Sequence, residues 1–479
     1  MILVQSGVVA GIEGFIIDVE VDVRPGLPGF EIVGLPSKTV RESRERVRSA
    51  LRNSGYKFPA QKVIVNLAPA HLPKDGALFD LPIALGILAH QGFLSPGVFR
   101  KRIIAGELSL SGEIKPVNGV LSLAQLASER GYEIILPRAN HNEVALLQRD
   151  NVLLAQSLPE LISYLTGKTA PPSIEPTSSA FPKRNDQIGK IIKGQAHAKR
   201  ALEIAALGRH HIMLLGPPGV GKTLLATQAH HLLPPLSHEE IIMLNKVYAA
   251  AGLTGNDSAP LTQRPLRSPH HSISQAALIG SKSGKPGEIT LAHLGVLLLD
   301  EFPEFSQNAL QGLREPLDHK QVHISRADHN LVYPADFWLI ATANPCPCGY
   351  LGSSIRLCTC TGRDLNRYRR KLRGPLLDRF EMFCYLTPLS EQELRKETIP
   401  WPEKSTGTKF MNAKYPPMTN AALDFLHRAQ DTLGLSVRGF DNTGRIARTI
   451  ALLDGAESIT ETQMAEALQY RLENHIHLF

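Results

Sequence analysis

Gly216-Pro217-Pro218-Gly219-Val220-Gly221-Lys222-Thr223 is the stretch on which the fold turns. It fits G-x-x-x-x-G-K-[ST], and its flanks have the matching character. The apolar run Ile212-Met213-Leu214-Leu215 reads as a buried strand, and Leu224-Leu225-Ala226-Thr227-Gln228-Ala229 as the first turns of a helix. Glycines let successive backbone N–H groups turn toward phosphate oxygens, and the positive end of the helix dipole adds to them. In this reading Lys222 reaches the β- and γ-phosphates and the Thr223 hydroxyl holds Mg2+. A chance glycine-rich turn would not bring the strand, the Lys-Thr pair and the helix together. The sequence therefore predicts a nucleoside triphosphate site with ATP and Mg2+ as cofactors.

Further along, Gly295-Val296-Leu297-Leu298-Leu299-Asp300-Glu301 reads as a buried strand with two carboxylates at its end, the edge of a parallel sheet where ligands gather. Asp300 is placed to bind Mg2+ through water and Glu301 to orient and polarise the attacking water. A third strand, Phe337-Trp338-Leu339-Ile340-Ala341, ends in Thr342-Ala343-Asn344, so Asn344 is either a γ-phosphate sensor or a turn residue. Gly374-Pro375-Leu376-Leu377-Asp378-Arg379-Phe380 has the L-L-D-R-F pattern by which ring ATPases present an arginine to the neighbouring subunit's nucleotide; the alternative is a surface charge.

With 479 residues the chain has room for two or three domains, each with its own core. Hydrophobic content of 43% and charged content of 20% are those of an ordinary soluble protein. The net charge of +7 suits nucleic acid, and equally a solvated basic surface. No run of 18 apolar residues occurs, so no membrane span is expected. Met1-Ile2-Leu3-Val4-Gln5-Ser6 lacks the basic start of a signal peptide, and four of the five cysteines crowd between 346 and 360, unlike a secreted disulfide scaffold. The expected location is cytoplasmic.

Residues 1–167 alternate strand-like stretches (Ile16 to Val23, Lys62 to Leu67) with a buried helix (Leu81 to Leu88), an α+β pattern. Pro73-Lys74-Asp75-Gly76-Ala77-Leu78-Phe79-Asp80 resembles the segment around the nucleophile of Lon-type proteases, whose domain has a ribosomal-S5-like fold. Gly106-Glu107-Leu108-Ser109-Leu110-Ser111-Gly112 and Pro116-Val117-Asn118-Gly119-Val120-Leu121 resemble the Lon segment that carries the catalytic lysine. The nucleophile position here holds Leu78 and the lysine position Leu121, so a Lon-like domain without protease activity is expected. Residues 168–187, rich in Pro, Ser and Thr, read as a linker. An AAA+ α/β core is expected over 188–389, with Gly194-Gln195 and Ile192 near the adenine, and a helical lid over 390–479. The lid helices are read at Glu391 to Lys396, Asn420 to Leu433, Gly444 to Leu453 and Glu461 to Glu473, with Ser390 and Thr460 as N-caps.

Arg264-Pro265-Leu266-Arg267-Ser268-Pro269-His270-His271, Ala277-Leu278-Ile279-Gly280, Pro286-Gly287-Glu288-Ile289, Leu313-Arg314-Glu315-Pro316-Leu317, Ile324-Ser325-Arg326 and Asn344-Pro345-Cys346-Pro347-Cys348-Gly349 together resemble the Mg-chelatase-like AAA+ proteins of the YifB/ComM group. The resemblance spans nearly the whole chain. It implies a homo-hexameric AAA+ ring, and for competence-type members a helicase promoting branch migration of recombination intermediates during natural transformation, with recombination proteins as partners. It also implies a second sensor arginine at Arg438, although Gly439-Phe440-Asp441-Asn442-Thr443-Gly444 departs from the basic-apolar run of the family and two glycines weaken a helix start. Arg445 and Arg448 are the fallbacks.

By the same resemblance two insertions face the ring's pore, carrying Arg267, His270, His271, Lys282 and Lys285, then His319, Lys320, His323 and Arg326. Such side chains neutralise phosphates of single-stranded or branched DNA, or are merely solvated. Cys346, Cys348, Cys358 and Cys360 can close a tetrahedral Zn2+ site, although C-x-C pairs are less well attested than C-x2-C; otherwise they are reduced thiols of a loop. Arg363, Arg367, Arg369, Arg370, Lys371 and Arg373 then form the densest basic patch, facing DNA or another subunit. Three functions remain open: a DNA motor, a Mg-chelatase- or MoxR-like ATPase remodelling a protein, and a nucleotide-switched scaffold, which an intact Glu301 and Arg379 disfavour.

Overall fold

The computed structural model of the chain describes residues 1–471 apart from 36, 73, 75, 150, 172–191, 255–258, 282, 326–329, 353–355, 373–375, 396–400 and 402–414. The expected linker from 172 onward, and Pro73, Asp75, Lys282, Arg326, Arg373, Gly374 and Pro375, thus lie outside the described residues. The chain folds as two compact units: Met1–Pro182 with His238–Thr262 and Ser325–Leu331, and Lys183–Ser237 with Gln263–Ile324 and Val332–Phe479. The sequence places 238–262 in the ATPase core. The helix His238–Ala251 instead packs on Val120–Glu129 of the first unit, where Asn245 clamps the returning chain by bonding Leu261 through both N–H and carbonyl, each at 2.9 Å.

The first unit is α+β. Its seven-stranded sheet runs Gly29–Val33, Lys62–Ala68, Glu13–Arg24, Ile2–Ala10, Arg102–Ile104, Glu133–Pro137, Val152–Ala155, antiparallel in the middle and parallel at both flanks. The period of two in Glu13–Arg24 buries Ile17, Val19, Val21 and Val23 on one face. The apolar helix Asp80–His90 covers that face, and Gly86 allows the close approach, since a Cβ there would stand 2.6 Å from Val21. Leu78 and Leu121, at the positions matching a Lon nucleophile and lysine, are buried hydrocarbon.

The second unit is α/β. Its five-stranded sheet is parallel throughout, in the order Leu266–Arg267, Val296–Leu299, Trp338–Ala343, Ile212–Leu215, Met382–Tyr385. The central strands are buried on both faces, which is why they read as unbroken apolar runs. Helices Ala196–Gly208 and Lys222–Ala229 pack on the sheet, and Asn420–Leu433, Val437–Asp454 and Glu461–Gln469 form the lid. Ser390 and Thr460 cap as expected, each with a reciprocal side chain three residues on. The long lid helix starts earlier than the sequence suggests. Ser436 caps it through the Gly439 N–H at 3.1 Å, and it runs through both glycines. Its buried face, with Asn442, Thr443, Ile446 and Ile450, packs against Ala196–Gly208 and overrides the local cost of glycine.

Glu381 ties that helix to the sheet. One carboxylate oxygen meets His210 Nδ1 at 3.0 Å and the His211 backbone N–H at 3.2 Å, and the other takes Arg445 at 2.5 Å. Burial alone would raise its pKa, but the His210 bond and the neighbouring His210 and Arg445 outweigh it and hold the carboxyl below the ordinary 4.5. A depressed folded-state pKa gives stability that is present above 4.5 and lost as pH falls through the lower folded value. Glu381→Ala should cost on the order of 3 kcal/mol at neutral pH, read as a lower thermal midpoint. Below pH 4.5 the gap to the wild type should narrow.

Candidate nucleotide site

Because the five strands are parallel, their carboxyl ends share one edge, and the motif residues gather there. The chain leaves Ile212–Leu215 through Gly216 (φ +155°), where a Cβ would stand 2.5 Å from the Leu386 carbonyl oxygen. Gly219 (φ +84°) and Gly221 (φ +93°) complete the turn in backbone conformations that side chains disfavour. Helix Lys222–Ala229 begins at once, with its N-terminal amides at the loop. Lys222 Nζ donates to the Gly216 carbonyl at 2.7 Å, the Pro217 carbonyl at 2.8 Å and Asn344 Oδ1 at 3.0 Å. The ammonium is thus held across the mouth of the loop. Burial lowers its pKa to about 8, against the opposing pull of Asp300 and Glu301. Gln195 borders the loop, its amide donating to the Val220 and Thr387 carbonyls, whereas Ile192 is packed in the core.

Thr223 Oγ1 lies 3.0 and 3.1 Å from the two oxygens of Asp300. A hydroxyl and a carboxylate this close form the hard-oxygen donor set that Mg2+ takes, so the residues present fit that ion. Register supplies a partner that the sequence does not single out. Leu299 pairs with Ala341, which brings Thr342 beside Asp300; its hydroxyl donates to Asp300 and accepts the Glu301 backbone N–H at 3.1 Å. Glu301 itself has φ +54°, a left-handed turn that a non-glycine residue adopts at a cost. This turn stands its carboxylate out of the strand end, exposed, with His271 Nδ1 3.6 Å away. His271, expected at the pore, is thus a neighbour of the Glu301 carboxylate.

Asn344 is fixed from two sides. Its side chain accepts from Lys222, and its carbonyl accepts the Tyr368 hydroxyl at 2.8 Å from the helix Gly362–Leu372. Gly349, in the loop that follows Asn344, lies against Pro218, where a Cβ would come within 2.7 Å.

Arg379 and Arg438 are brought together, but elsewhere. Both pair with Asp318, Arg379 in a two-pronged contact and Arg438 at 3.6 Å. They line a cleft of about 550 Å³ with Lys320 and Arg445, and no residue of Gly216–Thr223 lines it. Arg379 precedes strand Met382–Tyr385, whereas Leu386, just after that strand, touches Gly216. At about 3.3 Å per residue this four-residue strand separates the two edges by roughly 13 Å. Both guanidinium groups meet Asp318 in this cleft.

The expected pore charges are largely paired. Arg267 grips Glu288 at 2.6 and 2.7 Å, Lys320 meets Asp336 at 3.3 Å, and His323 lies 3.7 Å from Glu315. His270, Lys285 and His319 are exposed. The helix Gly362–Leu372 keeps its basic character. Its one acid, Asp364, is spent on capping Thr361, while Arg363, Arg367 and Arg370 are exposed.

Comparison with known proteins agrees with this architecture. The profile of magnesium chelatase, subunit ChlI, matches residues 189–394, that of its C-terminal part 391–471, and that of subunit ChlI of Mg-chelatase 19–140. The chain is 39% identical over 495 aligned positions to the uncharacterized protein YifB of Escherichia coli K12, covering 98% of this chain and 96% of that protein. It is 38% identical over 499 positions to the competence protein ComM of Haemophilus influenzae, covering 98% and 97%. A shorter match, 28% identical over 173 positions, joins 31% of this chain to 30% of Lon protease 2 of Bacillus subtilis. No described helix is long and apolar enough to cross a membrane. With near-full-length relatives and the nucleotide edge of the sheet in agreement, the chain belongs to the Mg-chelatase-like AAA+ ATPase family of YifB and ComM.

Proposed function

We propose that this ATPase works as a cytoplasmic homo-hexameric ring that moves DNA, a helicase promoting branch migration in recombination during natural transformation. The observation that carries the ring is the placing of Arg379 and Arg438 across the sheet from their own chain's phosphate loop. They complete a site only on a second copy, whose transition-state charge they stabilise. Within one chain, Lys222 holds the β- and γ-phosphates, Thr223 and Asp300 hold Mg2+, Glu301 orients the water and takes its proton, and Asn344 holds Lys222 on the phosphate. Bound Mg2+ supplies charge neutralisation at the phosphate oxygens. The Lon-like domain acts without proteolysis, because neither Leu78 nor Leu121 can attack a carbonyl or move a proton. For the client, the support is the exposed basic face of Gly362–Leu372, which suits a phosphate backbone, together with a relative named as a competence protein.

ATP hydrolysis measured with and without single-stranded and forked DNA decides the client. Stimulation that collapses at high salt is expected for DNA; a rate that no DNA alters would point instead to a protein client, as for a remodelling ATPase. Lys222→Ala should weaken ATP binding by about 100-fold, the worth of its charge-assisted bonds. Arg379→Ala and Glu301→Gln should bind ATP and hydrolyse it at least about 100-fold more slowly. Hydrolysis at the wild-type rate by Arg379→Ala would sink the ring assignment.

Acid–base behaviour offers a further check. ATP prefers the protonated Lys222, which the free protein loses as pH rises through about 8. Bound phosphates push the proton's departure to higher pH. Affinity for ATP should therefore be flat from pH 6.5 to 7.5, then fall by up to about tenfold per unit above 8, measured by titration with a fluorescent nucleotide.

A further inference from the structure

The loop that leaves Asn344 gathers four sulfurs. The Sγ atoms of Cys346, Cys348, Cys358 and Cys360 all lie within 4.8 Å of one another, and all four thiols are free of disulfides. Cys346 and Cys348 are 3.4 Å apart, Cys346 and Cys358 3.7 Å, and Cys348 and Cys358 3.6 Å. Four ligands at about 2.3 Å from a central ion, in tetrahedral array, stand about 3.8 Å apart. The separations are close to that edge and far from the roughly 2.05 Å of a disulfide. Backbone amides also point at the sulfurs: Leu351 N–H donates to Cys346 at 3.3 Å and Cys348 N–H to Cys360 at 3.4 Å. Such bonds stabilise thiolates and orient them as ligands. Gly349, at φ +85°, makes the tight turn that carries the chain away from Cys348.

We propose that Cys346, Cys348, Cys358 and Cys360 bind one structural Zn2+. A set of four thiolates favours a soft or borderline ion over Mg2+, and four protein ligands leave no open position for substrate. The fifth cysteine, Cys384, lies in the core strand Met382–Tyr385 and takes no part. The metal cross-links the two ends of the loop. One end follows Asn344-Pro345 directly; the other leads through Thr361 into the helix whose Tyr368 bonds back to Asn344. Closing the loop thereby fixes Asn344 opposite Lys222 and seats Gly349 against Pro218. This consequence for the nucleotide rests on the function proposed above, whereas the metal site does not.

The test is metal analysis of the purified full-length chain, expressed with zinc and dialysed against a chelator at neutral pH. One zinc per chain is expected, released together with thiol reactivity by an organomercurial, and the double variant Cys358→Ser/Cys360→Ser should hold less than roughly 0.1. To keep the test independent of that variant's folding, the wild type is also denatured in chelator without reductant, where five free thiols are expected. Wild-type protein with less than roughly 0.1 zinc, iron in place of zinc, or a thiol count lowered by disulfides would each overturn the proposal. Stripping the metal should slow hydrolysis by about 10–100-fold. Since zinc is counted separately, failure of the nucleotide reading leaves the metal result standing.

Discussion

The parallel pairing of Ile212–Leu215 with a strand on each side is the constraint from which the candidate site follows. Ile212 is registered with Ile340 on one flank and Met382 on the other, and Leu299 with Ala341 one strand further out. Given those pairings, Gly216, Asp300 and Asn344 have to emerge at one edge. The same register puts Thr342 under Asp300, so that one hydroxyl orients the carboxylate and holds the backbone turn at Glu301. A slip of one residue would turn Thr342 to the other face and take its hydroxyl from Asp300. The apolar strands therefore aim the chemistry as well as filling the core.

Sheet polarity has a second consequence at the amino edge. There His210, Glu381 and Arg445 join the lid helix to the sheet, with the His210 ring also 2.9 Å from Thr449 and its carbonyl accepting the Trp338 indole N–H at 2.7 Å. Buried groups of this kind are costly unless every partner is present, so the lid is held in one orientation. That orientation carries Arg438 to Asp318 beside Arg379. The two arginines form one unit by packing, although they are far apart in sequence.

What is legible in the sequence is whatever a short motif and its flanks determine locally. Gly216 to Thr223, Asp300 and Glu301 can be read because a buried parallel strand shows as an apolar run with its chemistry directly after it. Thr342 cannot, since its role depends on register with a strand some forty residues upstream. His271 reaches Glu301 across a loop, and no periodicity marks such a contact. The start of the long lid helix is missed because glycine propensity is a local average, while Gly439 and Gly444 lie in a buried helix face. Segment 238–262 gives no compositional sign of joining the first unit; its Asn245 clamp is tertiary.

Asn344 shows how little distance separates the nucleotide from the basic surface. Its side chain meets the phosphate-loop lysine, its carbonyl meets Tyr368, and the cysteine loop begins two residues later. Tyr368 is buried on the same helix whose Arg363, Arg367 and Arg370 are exposed. A shift of Asn344 as Lys222 engages the phosphate would act on that helix through one hydrogen bond. In the proposed motor no longer relay is required between hydrolysis and the surface that grips DNA. The cysteine loop would set how stiff that link is: closed by four ligands, it leaves the helix no means of moving independently of Asn344.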